Sequence, residues 1–222
     1  MYIIASFPRS GSHVVRYIVE YLTKQPTLGE GDYDWSRTID GPVLNRLSLI
    51  KDKKPYVYSN LEPIAVKRHI IRQEDLEDLN VKVLYIKRDL VEAILRHGLH
   101  NFSLDSLLDP NNFHLDQLRD MYNNLHNDMN LFDTILNISF EELIFEPEKL
   151  RIIITDISDF FELKKKTINI GWLVKNWNKH LENCKIVFDQ INHMEYESSP
   201  TFWQDKLTPE QLKYVKEKLY AD

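Results

Sequence analysis

The chain has 222 residues, 43% hydrophobic and 28% charged, an ordinary globular composition with enough apolar residues for a sizeable core in a single domain over residues 1–222. A formal net charge of −6 argues against a general nucleic-acid binder, which carries a basic excess, so any polyanionic ligand must be held by locally placed Arg and Lys. One cysteine, Cys184, excludes an internal disulfide and any multi-cysteine metal site, and no run of about 18 apolar residues offers a membrane span.

The stretch Tyr2–His13 organises the rest. Tyr2-Ile3-Ile4-Ala5 is an apolar, β-branched run suited to a buried strand, and Pro8 stops it because proline has no N–H to donate. A strand this early leaves no room ahead of it for a signal peptide, which points to a cytoplasmic protein. Gly11 permits a tight turn, and Ser10 or Ser12 can cap a helix beginning there. Val14, Ile18, Tyr21 and Leu22 then recur at helical spacing up to about Thr23–Pro26. Strand, Gly/Ser turn and helix N-terminus together make an anion site, with Arg9 as a fixed cation beside it. The alternative is an ordinary strand–turn–helix connection whose Gly and Ser serve only the turn.

Gly29–Pro42 reads as an irregular loop carrying Tyr33 and Trp35, followed by a basic turn at Lys51–Pro55. Tyr56–Tyr58 and Ile64–Ile71 are short strand candidates, and Gln73–Leu79 a short acidic helix. Val81–Lys87 is the clearest interior strand after the first; it runs into Arg88-Asp89 and a helix from about Leu90 to Leu99. Leu115, Leu118, Tyr122, Leu125, Met129 and Phe132 mark a long amphipathic helix. Ile135–Ser139 is a further strand, Ser139–Glu142 a capping signature, and Pro147 opens a helix through Phe161. Thr208, Pro209 and Gln211 are N-cap, N1 and N3 of a terminal helix through Tyr220. Strands alternating with helices predict an α/β fold with a mostly parallel sheet covered by helices on both faces. In such sheets ligands sit beyond the carboxyl ends of strands, where the Pro8–Ser12 loop, Lys67/His69 and Arg88 all fall.

Phe7-Pro8-Arg9-Ser10-Gly11-Ser12 lacks the Gly-Lys-Ser/Thr of the nucleoside triphosphatase loop and places its cation before the glycine. It resembles the first loop of the sulfotransferases, Tyr/Phe-Pro-Lys/Arg-Ser-Gly-Thr/Ser. Val83–Glu92 resembles their second signature, an apolar strand ending in Arg-Asn/Asp. Phe140-Glu141-Glu142-Leu143, Pro147 and Phe160–Leu163 resemble a third, which is a packing element. The resemblance implies a P-loop-like α/β architecture and 3′-phosphoadenosine-5′-phosphosulfate as sulfuryl donor, leaving 3′-phosphoadenosine-5′-phosphate (PAP). It implies direct in-line transfer to a hydroxyl or amine of a small-molecule or carbohydrate acceptor, without metal or covalent intermediate; the absence of nucleic acid and membrane as partners is read from charge and hydropathy alone.

Residue by residue, the resemblance gives Arg9, Ser10, Gly11 and Ser12 to the 5′-phosphosulfate end and Arg88 to the 3′-phosphate, while His13, at the start of the first helix, either contacts the cofactor or caps the helix. Arg96 stands where the family has Ser, and it either reaches the same phosphate or points to solvent. Lys67-Arg68-His69 is similar to the family's Lys-Thr-His, which makes Lys67 an aid to the transition state and His69 the base; otherwise both line an exposed strand face. Asn60 and Glu62 are the fallback if the Tyr56–Leu61 stretch is the relevant strand. Arg9 replaces the usual Lys, so its help would be electrostatic. Departures are the absent Arg-Lys-Gly-x-x-Gly before Thr201-Phe202-Trp203, for which Lys206 or Arg96 could compensate, and Val14 in place of an adenine-stacking Trp. These departures leave two other readings open: a non-catalytic nucleotide-binding protein on the same fold, and a small-molecule kinase with a divergent phosphate loop. The acceptor would be chosen by expected loops around Gly29–Pro42, His100–Asn112 and Gly171–Tyr196.

Overall fold

A computed structural model describes residues 1–29, 41–78, 80–163, 170–192 and 199–220. Residues 30–40 of the expected loop, Tyr33 and Trp35 among them, lie outside the described residues, as does the first half of Tyr196–Thr201. The chain folds as an α/β layer structure. Its strands are β1 (Tyr2–Ser6), β2 (Thr27–Leu28), β3 (Ala65–Arg68), β4 (Lys82–Lys87) and β5 (Thr134–Ser139). They form one sheet in the order β2-β3-β1-β4-β5, and every pairing among the described residues is parallel.

Side chains alternate across β1 and β4 and feed two cores. Ile4, Leu84 and Ile86 face α1 (Ser12–Thr23), α2 (Val43–Ile50), α8 (Pro147–Phe160) and α10 (Trp177–Asn192). Ile3, Ala5, Val83 and Tyr85 face α4 (Leu90–Asn101), α6 (His114–Asp128) and α11 (Pro209–Leu219). Both faces of β1 and β4 are thus buried, which is why these strands read as unbroken apolar runs rather than as alternating ones. The smaller helices are α3 (Gln73–Glu77), α5 (Leu104–Leu108), α7 (Phe140–Phe145) and α9 (Ile170–Lys175). Cys184 is buried in the first core, where burial pushes its thiol pKa up and keeps it protonated.

Local signals set several ends as expected. Thr208 and Gln211 form a reciprocal capping box before α11, with Pro209 in the first turn. The Ser139 Oγ accepts from the Glu142 N–H at the start of α7. Other expectations fail. Neither Ser10 nor Ser12 caps α1; its N-cap is Gly11, whose carbonyl accepts from Val14 and Val15, with no side-chain cap. Tyr56–Tyr58 pairs with no strand among the described residues, because β2 occupies the edge beside β3. The span from Ile170 to Asn192 is two helices rather than a loop, and His100–Asn112 contains the end of α4 and all of α5.

Helix α2 is held by a distant group. Glu20 of α1 is fully buried, and its carboxylate accepts from the Val43 and Leu44 N–H groups, the Thr27 N–H and hydroxyl, and the Tyr58 hydroxyl. Arg16, one turn earlier and equally buried, donates to the Thr27 hydroxyl and to the Thr27 and Gly41 carbonyls. This pair ties β2 and the start of α2 to α1. No helix among the described residues is long and apolar enough to cross a membrane.

Candidate active site

β3, β1 and β4 are adjacent and parallel, so their carboxyl ends bring Lys67/His69, the Phe7–Gly11 loop and Arg88 to one edge of the sheet. The loop is tight. The Ser10 N–H closes a turn on the Phe7 carbonyl at 3.2 Å, Arg9 sits at φ 66° and Gly11 at φ 94°. A non-glycine residue in the left-handed region costs about 1–2 kcal/mol, so something must hold Arg9 there. Arg88 does: its guanidinium donates to the Arg9 carbonyl at 2.8 Å. The Arg88 side chain is only 2% exposed and approaches Glu92 at 4.0 Å, with the Phe140 ring 4.4 Å beneath it. Gly11 is required twice over, since a Cβ there would lie 2.3 Å from the Phe140 ring. Phe140, expected to serve packing alone, is therefore wedged between the two signature segments.

β3 presents its end rigidly. Arg68 makes a two-pronged bond to buried Asp75 of α3, at 2.9 and 3.1 Å. Beyond it, His69 Nδ1 lies 2.6 Å from the Ser6 carbonyl. A carbonyl only accepts, so Nδ1 carries the proton, and in the neutral ring Nε2 keeps its lone pair. Lys67 is buried and close enough to His13 to act on its charge.

The charges acting on the histidines of this edge are positive. Burial, then Arg16, Lys67, Arg46 and Arg9, hold His13 well below the ordinary histidine value. His97 is held down to about 4 by burial first, then Arg9, His69 and His100. His100 is lowered by burial, Arg9 and Arg96, and Arg9 itself is lowered by burial and by Arg96. A crowd of mutually repelling cations around an N-terminal helix turn is the arrangement an anion relieves. Ser10 Oγ in the loop and His13 Nδ1 in the first turn of α1 are buried with no hydrogen-bond partner among the described residues, which leaves both available to a ligand bound at this edge.

The expected residues Arg9, Ser10, Gly11, Ser12, His13, Lys67, His69, Arg88 and Arg96 converge on this edge. Arg96 is buried and acts on Arg9 and His100, so it lies toward the loop rather than out in solvent. Lys206 instead lies over the Phe202 and Trp203 rings, 4.5 and 4.7 Å from their centres, and Val14 is part of the core. Missed by sequence reasoning were His97 and His100 on α4. Within α4, Glu92, Arg96 and His100 stand at successive four-residue steps, but nothing local ties His100 to Arg9, 91 residues earlier.

No protein-family model and no curated protein sequence matches the chain. Solved structures do. Retinol dehydratase in a complex with retinol and PAP superposes at TM-score 0.53 and 17% identity, covering 99% of this chain and 81% of that one. The same enzyme with androsterone and PAP gives 0.53 and 17%, with 99% and 80% covered. A mouse sulfotransferase complexed with PAP gives 0.49 and 14%, with 99% and 84% covered. The chain has the sulfotransferase fold.

Proposed function

We propose that this chain is a sulfotransferase, taking the sulfuryl group of 3′-phosphoadenosine-5′-phosphosulfate to a hydroxyl or amine of a small-molecule or carbohydrate acceptor. The observation that carries the reading is the loop: a left-handed Arg9 and an obligatory Gly11 open a helix whose orphaned Ser10 and His13 atoms sit among cations. Structural neighbours solved with PAP support it.

Within this reading the loop N–H groups, Ser10, Ser12 and His13 hold the 5′ phosphosulfate end. The donor, when bound, supplies an activated sulfuryl group on a phosphate leaving group. Arg9 and Lys67 offset the charge that develops as that phosphate departs, acting as fixed positive charges that need no reorganisation. Arg96 and Arg88 supply the cationic floor toward the 3′-phosphate. His69 is the base: Ser6 fixes its tautomer, and Nε2 accepts the proton of the attacking hydroxyl or amine.

One observation favours a second reading, a nucleotide-binding protein without transferase activity. Arg88 is turned inward onto the Arg9 carbonyl. Calorimetric titration with PAP, followed by an acceptor screen with labelled donor, separates the two. Micromolar or tighter binding, about −8 kcal/mol, lost in Arg9→Ala supports the donor site. Transfer to an acceptor that disappears in His69→Ala with PAP affinity intact supports the enzyme. PAP binding without transfer to any acceptor tried supports the second reading, and a folded protein that ignores PAP sinks both. A parallel run with magnesium and a nucleoside triphosphate tests the kinase alternative.

A further inference from the structure

Resting on the sulfuryl-transfer reading above, we propose that His100 is a positioning residue: as a neutral acceptor it holds the Arg9 guanidinium in place over the loop. Arg9 NH2 lies 2.5 Å from His100 Nε2. A guanidinium only donates, so His100 must present an unprotonated Nε2 and carry its own hydrogen on Nδ1. Arg9 is then fixed at both ends by one structural element. Arg88, immediately before the α4 cap, takes its carbonyl at 2.8 Å, and His100, in the last turn of α4, takes its side chain.

The arrangement answers a mechanical problem. Arginine has a long side chain with much rotamer freedom, and a cation that stabilises a developing charge must already be in position. A left-handed backbone aims the side chain, and an acceptor at its tip stops it from swinging into water. Neutrality of His100 is built into the surroundings. Arg9 from the loop and Arg96 from its own helix both disfavour its protonation, and His97 is its neighbour on α4. Protonating His100 would break the bond to Arg9 and set two cations against each other, so Arg9 would be released in acid.

The pair is tested without cofactor by following the His100 imidazole through a pH titration by NMR. The expected midpoint lies below that of an ordinary histidine in wild type and rises in Arg9→Ala. Arg9→Lys keeps the charge without the planar fork, so a partial rise there separates the hydrogen bond from charge alone. A midpoint indifferent to Arg9 overturns the pair, whether or not PAP binds.

The role is tested by calorimetry with PAP. His100→Ala is expected to weaken PAP about tenfold, the scale of one lost charge-assisted hydrogen bond. His100→Gln, whose amide oxygen still accepts, should recover most of that and flatten the acid side of the affinity–pH profile. In an Arg9→Ala background His100→Ala should cost nothing further. Equal losses with and without Arg9 overturn positioning through Arg9. Coupling by NMR in a protein that binds no PAP overturns the sulfuryl-transfer reading and the task given to the pair with it. PAP binding without coupling overturns the pair alone.

Discussion

Arg9 stands just before α1 and Arg16 on its second turn, and their surroundings differ in kind. Arg16 is fully buried one helical turn from Glu20, and the two side chains satisfy backbone and hydroxyl groups of β2, the α2 start and Tyr58. Arg9 sits at φ 66° near Arg96, in a cluster where His13, His97 and His100 are pushed away from protonation. Charge matched by nearby charge makes scaffold. Charge of one sign gathered on strained backbone makes a site for something that arrives from solution.

Substitutions can break this contrast. Glu20→Ala should cost most, about 3–5 kcal/mol in urea unfolding, because it strands Arg16 in the core and removes the acceptor for five donors. Glu20→Gln should fall between, since its amide oxygen still accepts. Gly11→Ala should cost about 2–4 kcal/mol and abolish PAP binding, through left-handed strain and the Phe140 collision. Arg9→Gly should do the opposite to stability, raising it by about 1 kcal/mol while weakening PAP at least tenfold; equal damage to both would erase the distinction from Arg16.

Acid should sharpen the contrast next. His97 and His180 are each held to about 4 by burial, with cationic neighbours adding to it, and both titrate near 6.5 once unfolded. Between those values the unfolded chain binds more protons, so stability rises with pH. It is fully present above about 6.5 and drains away down to about 4, and His97→Asn should flatten part of that slope in urea titrations at stepped pH. The smallest effect belongs to Lys206→Ala: a loss of about 0.5–1 kcal/mol with its two aromatic contacts, and unchanged PAP affinity. A drop in affinity would restore Lys206 as a phosphate contact.

Legible in the sequence was whatever short-range chemistry decides. β1 and β4 show as apolar runs, α11 by its capping box, and the loop by Pro8, Arg9 and Gly11. α2 was not legible because the acceptor for its first N–H groups, Glu20, lies more than twenty residues upstream. Tyr56–Tyr58 has strand-like residues, yet the Tyr58 hydroxyl goes to Glu20 and no strand is there to pair with among the described residues. Within the site, Arg88 was visible as a cation at a strand end, but not that it would turn inward to Arg9. His100 was hidden for a simpler reason: its partner is 91 residues away.

The position of β1 in the sheet also bears on how the molecule is made. Tyr2 pairs with Ala65 on one side and Lys82 on the other, so β1, once synthesised, waits about 60 residues for one neighbour and 80 for the second. Such long-range pairings carry a high loop-closure cost and slow folding. On the ribosome the Ile3–Ala5 run would remain exposed until β4 emerges, a natural client for a holdase chaperone. Fragments that stop short of Arg88 carry the loop's residues and lack both groups that give Arg9 its shape, and those that stop within α4 still lack His100. Nascent chains arrested at successive lengths should therefore acquire protease resistance around residues 2–12 only after residue 101 has left the exit tunnel.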